Sequence, residues 1–210
     1  MFPRLSVVLP LLVVAPVAAD FDCSAPPLDE PSAAYVAKVD ALHRQLGIPS
    51  EYTEDFDLTL QPEAETLKLI AVDPGQGAFL MSPDAAEAWL QMQAAARMDG
   101  VELLPLSTFR SVFRQADILR ARLEDGELLE EVLKTSVAPG YSEHHTGDAV
   151  DIDTPGATAF SEEFAETSAF AWLEENAEAF CFELSYPEDN NHGIAFEPWH
   201  WRYQRSGTEI

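Results

Sequence analysis

The sequence predicts an α+β fold, in which a single compact domain holds a small, mostly antiparallel sheet flanked by helices. The chain has 210 residues, of which 47% are hydrophobic, so it is long enough for one core but short for two. Segments with helical spacing and short strand-like segments follow one another in mixed order, without regular alternation. This order favours α+β over a doubly wound α/β sheet.

Helical patterns are predicted in five segments. Apolar residues recur at helical spacing from Ser32 to Leu46, before a stop at Gly47. Ser82 and Pro83 have the residue types of an N-cap and a first helical position, which begins a second helix. The remaining predicted helices span about 112–125, 127–134 and 160–180.

Short strands are predicted between and after these helices. Two of them flank the turn-forming sequence DPGQG, and another leads into the sequence STFRS. The predicted strands are 66–72, 78–81, 101–106, 149–152, 182–186 and 194–196.

The first nineteen residues have the pattern of a secretory signal peptide. Arg4 precedes an apolar run that ends in small residues, Val17 and Ala19, and two prolines interrupt a run too short to span a bilayer comfortably. We therefore expect an exported protein, periplasmic or secreted, with no stable membrane insertion after cleavage. Residues 20–62 are predicted to form an N-terminal arm and helix, and 63–210 the main domain.

Charge and cysteine content narrow the possible partners and ligands. The 37 acidic and 12 basic residues give a net charge of −25, which argues against a nucleic-acid partner. Cys23 and Cys181 can pair in an oxidising compartment, although sequence alone does not establish the bond. Two cysteines are too few for a cysteine-based zinc site, so any metal must use histidine and carboxylate ligands.

Candidate metal ligands cluster in two segments, SEHHTGDAVDID and EPWHWRY. A catalytic zinc needs three protein ligands and one open position, and these segments can supply such a set. Residue chemistry alone does not choose between His144 and His145, or among Asp148, Asp151 and Asp153. The histidines outside these segments are His43 and His192.

Three sequence patterns carry a family resemblance. Residues 142–151 reproduce S-x-H-x-x-G-x-A-x-D, residues 197–200 reproduce E-x-W-H, and residues 107–115 contain S-x-x-R-S-x-x-x-Q. Together they resemble the VanY-type D-alanyl-D-alanine carboxypeptidases, zinc metallopeptidases of the LAS group. The resemblance covers roughly residues 89–203 and makes 63–210 a zinc carboxypeptidase catalytic domain.

The resemblance implies a role for each matched residue. His144, Asp151 and His200 would hold one zinc ion, and Glu197 would be the general base. Arg110 would bind the terminal carboxylate of a peptidoglycan stem peptide, because a guanidinium recognises carboxylates bidentately. Ser142 and Gln115 would add hydrogen bonds to the substrate. Tyr141 lies outside the three patterns; as an aromatic residue beside the metal motif, it is predicted to line the cleft and hold the substrate backbone.

The implied activity is removal of a C-terminal D-alanine from stem peptides by a monomer. An L,D-carboxypeptidase or a cross-link endopeptidase would use the same metal chemistry, and a non-catalytic wall-peptide binding domain is the alternative from another class. Retention of Glu197 and an open three-ligand set argue against the binding domain. His145, Asp148 and Asp153 have no matching role, and we expect them to be local polar residues or partners that orient the metal ligands. We expect His192 to be a solvated histidine in the loop before the last predicted strand, and lining of the cleft is the alternative.

Overall fold

The computed structural model describes residues 22–53, 58–190 and 192–206. The predicted signal peptide and its cleavage site at Ala19 lie outside these residues. Five α-helices are found in the described part: α1 (Ala33–Leu46), α2 (Pro83–Met98), α3 (Val112–Glu124), α4 (Leu129–Thr135) and α5 (Ser168–Asn176). None of these helices combines the length and apolarity that crossing a membrane requires.

In the described ranges, six strands form two antiparallel sheets. Strands β1 (Lys68–Asp73) and β2 (Gly77–Met81) pair as a hairpin. The other sheet has the order β3-β4-β6-β5 and contains β3 (Leu104–Ser107), β4 (Ala149–Asp153), β5 (Phe182–Leu184) and β6 (His200–Tyr203). The α+β prediction is therefore confirmed.

Side-chain caps explain where the early helices begin. Ser32 accepts a hydrogen bond from the backbone N–H of Tyr35, and Ser82 accepts one from Ala85. Pro83 occupies the first turn of α2, where its missing N–H is not needed. These two starts are where the sequence predicts them.

Two sequence predictions about the C-terminal half are wrong. The helix predicted over 160–180 is divided into 3-10 turns at Glu162–Glu166 and Ala177–Phe180 with α5 between them, because the side chain of Thr167 caps α5 separately. The strand predicted at 194–196 is a loop, since its backbone groups bond elsewhere: the N–H of Ala195 donates to Lys134 and the carbonyl of Ile194 accepts from Asn190.

Two hydrophobic clusters are found among the described residues. One joins β4, through Val150 and Ile152, to α2 and α5, and the other joins α1, α3 and α4 through residues such as Val39 and Leu119. The N-terminal helix α1 is therefore packed against α3 and α4, which follow it in the chain. The polar faces of β4 and β6 and one side of α3 are left to line a cavity.

A disulfide bond joins the N-terminal arm to the residue that precedes β5. Cys23 and Cys181 are bonded, with their Cα atoms 5.6 Å apart. The arm is also held by Ser206, whose N–H and hydroxyl both donate to the carbonyl oxygen of Ala25, at 3.0 and 2.9 Å. The pairing that the sequence left open is therefore present.

Candidate active site

The register of two central strands places a carboxylate opposite an imidazole. Asp151 on β4 pairs directly with His200 on β6. Side chains alternate between the two faces of a strand, so Val150 and Ile152 enter the core while Asp151 lies on the opposite face. Trp201 likewise enters the core, which leaves His200 on the same face as Asp151.

A second histidine reaches Asp151 from the 3-10 turn Glu143–Thr146 that precedes β4. The Nε2 atom of His144 lies 3.2 Å from Oδ2 of Asp151, and Nδ1 of His200 lies 2.9 Å from Oδ1. One candidate ligand atom from each of the three residues lies within 4.8 Å of the others, and all three side chains are buried. Two imidazole nitrogens and a carboxylate oxygen form the donor set of a catalytic zinc site.

Burial and mutual attraction set the charges in this cluster. Burial opposes ionisation of Asp151, but attraction to His144 and hydrogen bonds from both histidines hold its pKa well below the usual range. Burial also opposes the charge on His200, yet hydrogen bonds with Asp151 and Glu143 raise its pKa to about 10. The cluster thus stabilises positive charge between two carboxylates, as a cation site requires.

Glu197 stands beside the three-residue cluster without belonging to it. Its carboxylate lies 3.9 Å from Nδ1 of His200, and its backbone N–H donates to the carbonyl oxygen of Tyr186 at 3.1 Å. Burial is the largest cause that raises the pKa of Glu197 to about 7. A carboxylate tuned in this way can both accept and return a proton near neutral pH.

The cluster opens into a cavity of about 760 Å³ that also contains three other predicted residues, Arg110, Gln115 and Ser142. Within the described part of the chain, no hydrogen-bond partner reaches the buried Nε of Arg110 or the buried Oε1 of Gln115. The Nε2 of Gln115 donates to the carbonyl oxygen of Val137 at 2.7 Å, which fixes the amide. Buried polar atoms without partners are uncommon in folded proteins, so these atoms are suited to bind a polar ligand.

Two other sequence candidates lie apart from this cavity. Tyr141 is absent from the described residues that line it, and its ring packs against His43 and Tyr52 with centroid distances of 5.8 Å each. The structure therefore does not bring Tyr141 to the predicted cleft. His192 lies against the ring of Tyr186, 6.1 Å between centroids, and lines a different cavity.

The polar residues around the motif stabilise the loops that carry it. The Nδ1–H of His145 donates to the carbonyl oxygen of Arg110 at 2.6 Å, and its Nε2 accepts from the backbone N–H of Gly140 at 3.0 Å. Asp148 is buried and accepts two hydrogen bonds from Arg205. Asp153 accepts from the backbone N–H of Thr154.

Glu143 is a residue that the sequence patterns did not single out. It lines the cavity and contacts the Nε2 of His200 at 2.8 Å, and it also forms an ion pair with Arg202. Residue 143 falls on an unspecified position of S-x-H-x-x-G-x-A-x-D. The contact depends on the register of β6, which was not predicted.

Comparison with known proteins identifies the family to which the chain belongs. Residues 78–206 match the family model VanY, described as D-alanyl-D-alanine carboxypeptidase. The match covers more than half of the chain, so the chain belongs to the VanY family. The three residues His144, Asp151 and His200, together with Glu197, fall within the matched region.

Individual relatives agree with this assignment. A D-alanyl-D-alanine carboxypeptidase of Enterococcus faecalis is 33% identical over 119 residues, 52% of this chain and 42% of that protein. The crystal structure of the vancomycin resistance D,D-pentapeptidase VanY, an E175A mutant in complex with Zn(II), has a TM-score of 0.54 and 26% identity, covering 70% of this chain and 85% of that one.

A second structural neighbour has a different named activity. The LD-carboxypeptidase LdcB has a TM-score of 0.57 and 27% identity, covering 76% of this chain and 70% of its own. Among curated relatives, the chain spans between 42% and 58% of the length of the first two that it matches.

Proposed function

We propose that this protein is a zinc-dependent carboxypeptidase that removes a C-terminal D-alanine from peptidoglycan stem peptides. The observation that carries the proposal is the buried set of His144, Asp151 and His200 beside Glu197, in one cavity of a VanY-family chain. The relatives' named activities and the Zn(II) complex of one neighbour support the same activity.

The donor set fits zinc. His144, Asp151 and His200 would supply two imidazole nitrogens and one carboxylate oxygen, which leaves a coordination position open to the cavity. When bound, zinc supplies a Lewis acid that polarises the scissile carbonyl and makes water acidic enough to be deprotonated near neutral pH.

Glu197 would act as the general base and then as the general acid. Its carboxylate lies 3.9 Å from Nδ1 of His200 but is not part of the three-residue cluster, and burial raises its pKa to about 7. It can therefore take the proton of the attacking water and return that proton to the departing amine of D-alanine.

Arg110 would bind the terminal carboxylate of the substrate. Its guanidinium lies in the same cavity as Asp151 and Glu197, and its buried Nε lacks a partner among the described residues. An ionised acceptor would satisfy this group with a charge-assisted hydrogen bond. Ser142 and the free Oε1 of Gln115 would add hydrogen bonds to the peptide.

The second candidate function is L,D-carboxypeptidase activity on tetrapeptide stems. It is favoured by the likeness to the LD-carboxypeptidase LdcB. The metal centre and the carboxylate anchor would be the same, and only the residue before the scissile bond would differ. Parallel digestion of pentapeptide and tetrapeptide stems separates the two activities.

The proposed substrate indicates where the protein would act, and the packing of α1 and the disulfide bond indicate how residues 20–62 would relate to the catalytic domain. Stem peptides lie outside the cytoplasmic membrane, so the protein would be exported through residues 1–19 and act in the periplasm or after secretion, as a monomer. Residues 63–210 would be the catalytic domain, and residues 20–62 would support it through α1 and the disulfide bond of Cys23.

The variant Glu197→Gln tests the assigned base. We expect it to retain zinc but to lose activity on a D-Ala-D-Ala stem peptide by a factor of about 10² or more, because general-base catalysis contributes about that much. Glu162→Gln is the matched control, since Glu162 lines the same cavity and has the same charge. Activity of Glu197→Gln equal to that of the control would remove Glu197 from the base role.

A further inference from the structure

Both histidines of the candidate metal centre use one ring nitrogen for the cluster and the other for a hydrogen-bond acceptor. The Nδ1 of His144 lies 2.8 Å from the carbonyl oxygen of Thr108, so its Nε2 is left for the cluster. Both nitrogens of His200 face a carboxylate oxygen: Nε2 lies 2.8 Å from Oε2 of Glu143, outside the cluster, and Nδ1 lies 2.9 Å from Oδ1 of Asp151, within it. A ring nitrogen that binds a metal ion carries no proton, so the single proton of the neutral imidazole would then be on the other nitrogen, where the acceptor holds it.

Glu143 is itself held from three sides. Its Oε2 accepts from the hydroxyl of Ser185 at 2.7 Å as well as contacting His200, and its Oε1 accepts from Nη1 of Arg202 at 2.8 Å. Arg202 in turn donates to Oε1 of Gln61 at 3.1 Å. Because both carboxylate oxygens are occupied, the orientation of Glu143 is determined and the ring of His200 is determined with it.

The strand geometry explains how these groups meet. His200 and Arg202 are two residues apart on β6 and therefore lie on the same face of the sheet. Glu143 adjoins His144 in the 3-10 turn, so one turn carries a candidate ligand and the orienting partner of the other histidine. The side chain of Glu143 is only 13% exposed, so water competes little for these contacts.

We propose that Glu143 is a positioning residue for the metal centre: its carboxylate fixes the proton on Nε2 of His200 and presents Nδ1 to a divalent cation. This inference rests on the proposed zinc site but not on the identity of the peptide substrate. It assigns Glu143 a function beyond pairing with Arg202, and it predicts that removing the carboxylate weakens metal binding even when the fold survives.

Zinc affinity measured by competition with a chromogenic chelator tests the proposal without any peptide. Partners that orient histidine ligands typically change metal affinity by about 10–100-fold when removed, so we expect a loss of that size for Glu143→Ala. Glu162→Gln controls for the loss of one negative charge in the same cavity. A zinc affinity for Glu143→Ala within about twofold of the control would overturn the positioning role.

The variant Arg202→Met separates positioning from a purely structural ion pair. It removes the partner of Oε1 but leaves the contact between Glu143 and His200. We expect Arg202→Met to bind zinc more tightly than Glu143→Ala, with both variants compared by circular dichroism for folding. Equal losses of zinc affinity in the two variants would assign Glu143 to the ion pair alone and overturn the proposal.

A measurement on the unmodified protein covers the case in which the variants do not fold. Long-range proton–nitrogen NMR spectra of the zinc-loaded protein report which nitrogen of each histidine carries hydrogen. We expect His200 to be protonated at Nε2 and His144 at Nδ1, and protonation of His200 at Nδ1 would overturn the inference. Zinc binding with this pattern but without cleavage of stem peptides would refute only the proposed activity.

Discussion

Replacing Arg205 is expected to destabilise the fold more than replacing the aspartate that it binds. The Nε and Nη2 atoms of Arg205 donate to the two carboxylate oxygens of Asp148 at 2.7 and 2.9 Å. Asp148 is 0% exposed, and the hydroxyl of Ser82 also donates to it. This contact joins the chain after β6 to the turn before β4 and to the start of α2.

The two substitutions differ in the group that they leave behind. Arg205→Met leaves a buried carboxylate without its ion-pair partner, which costs about 3–5 kcal/mol of unfolding free energy. In Asp148→Asn, the guanidinium of Arg205 keeps its hydrogen bonds to Asp84, at 3.1 Å, and to the carbonyl oxygen of Pro26. The loss is then mainly that of charge-assisted hydrogen bonds, about 1–3 kcal/mol.

Urea denaturation at a fixed saturating zinc concentration measures both losses. Arg97→Met is the matched control, because Arg97 is an exposed arginine in the last turn of α2, where substitutions usually change stability by less than about 0.5 kcal/mol. A loss in Arg205→Met no larger than that in Asp148→Asn would contradict the cost of the unpaired buried carboxylate. A loss in Arg205→Met equal to that of the control would contradict it as well.

Three further predictions concern the fold and the metal. Replacing Cys23 and Cys181 by alanine opens a link across 158 residues, so we expect a loss of about 5 kcal/mol by loop entropy; a melting temperature equal to that of the oxidised protein would contradict this. In urea denaturation, Gly147→Ala should lower the free energy of unfolding more than Gly156→Ala. Both glycines have positive φ, but only a Cβ at Gly147 would meet a backbone atom, the N of Ser82 at 2.8 Å. Equal losses of unfolding free energy would contradict this contact. Zinc at about a thousand times its dissociation constant should stabilise the protein by about 4 kcal/mol, and an unchanged melting temperature on adding a chelator would contradict a bound ion.

Local chemistry made part of the fold predictable. The N-cap serine of α1 and the Ser82–Pro83 start of α2 each depend on a few adjacent residues, so the helix starts could be identified from the sequence. The hairpin of β1 and β2 likewise depends on a turn sequence. The strand β6 was missed because its pairing with β4 is a long-range contact, and the apolar residues of 194–196 resembled a strand more closely.

The same distinction applies to the candidate site: residues that a local pattern specifies could be predicted, and contacts between distant segments could not. His144, Asp151, His200 and Glu197 could be selected because the family patterns specify their positions, and the structure brings them to one cavity. Their roles as ligands and base stay predictions. Glu143 could not be selected, because its contact with His200 arises only when the 3-10 turn and β6 are packed together.

Tyr141 illustrates the opposite case, a predicted residue that the structure places elsewhere. It was selected because aromatic residues beside a metal motif often line the cleft, but sequence proximity does not determine the direction of a side chain. The turn that carries Ser142 into the cavity directs Tyr141 toward the cluster formed by α1, α3 and α4, where it packs against His43. A prediction based on neighbouring positions in the sequence cannot tell a side chain that enters the cavity from one that packs into the core.

We propose that the protein removes a terminal D-alanine in the cavity lined by His144, Asp151, His200 and Glu197, with the help of zinc. Mass spectrometry of purified pentapeptide and tetrapeptide muropeptides, incubated with the protein with and without a zinc chelator, tests it directly. We predict loss of one D-alanine from the pentapeptide, abolished by the chelator. Loss from the tetrapeptide alone would shift the assignment to L,D-carboxypeptidase, and no cleavage of either by zinc-loaded protein would contradict the account.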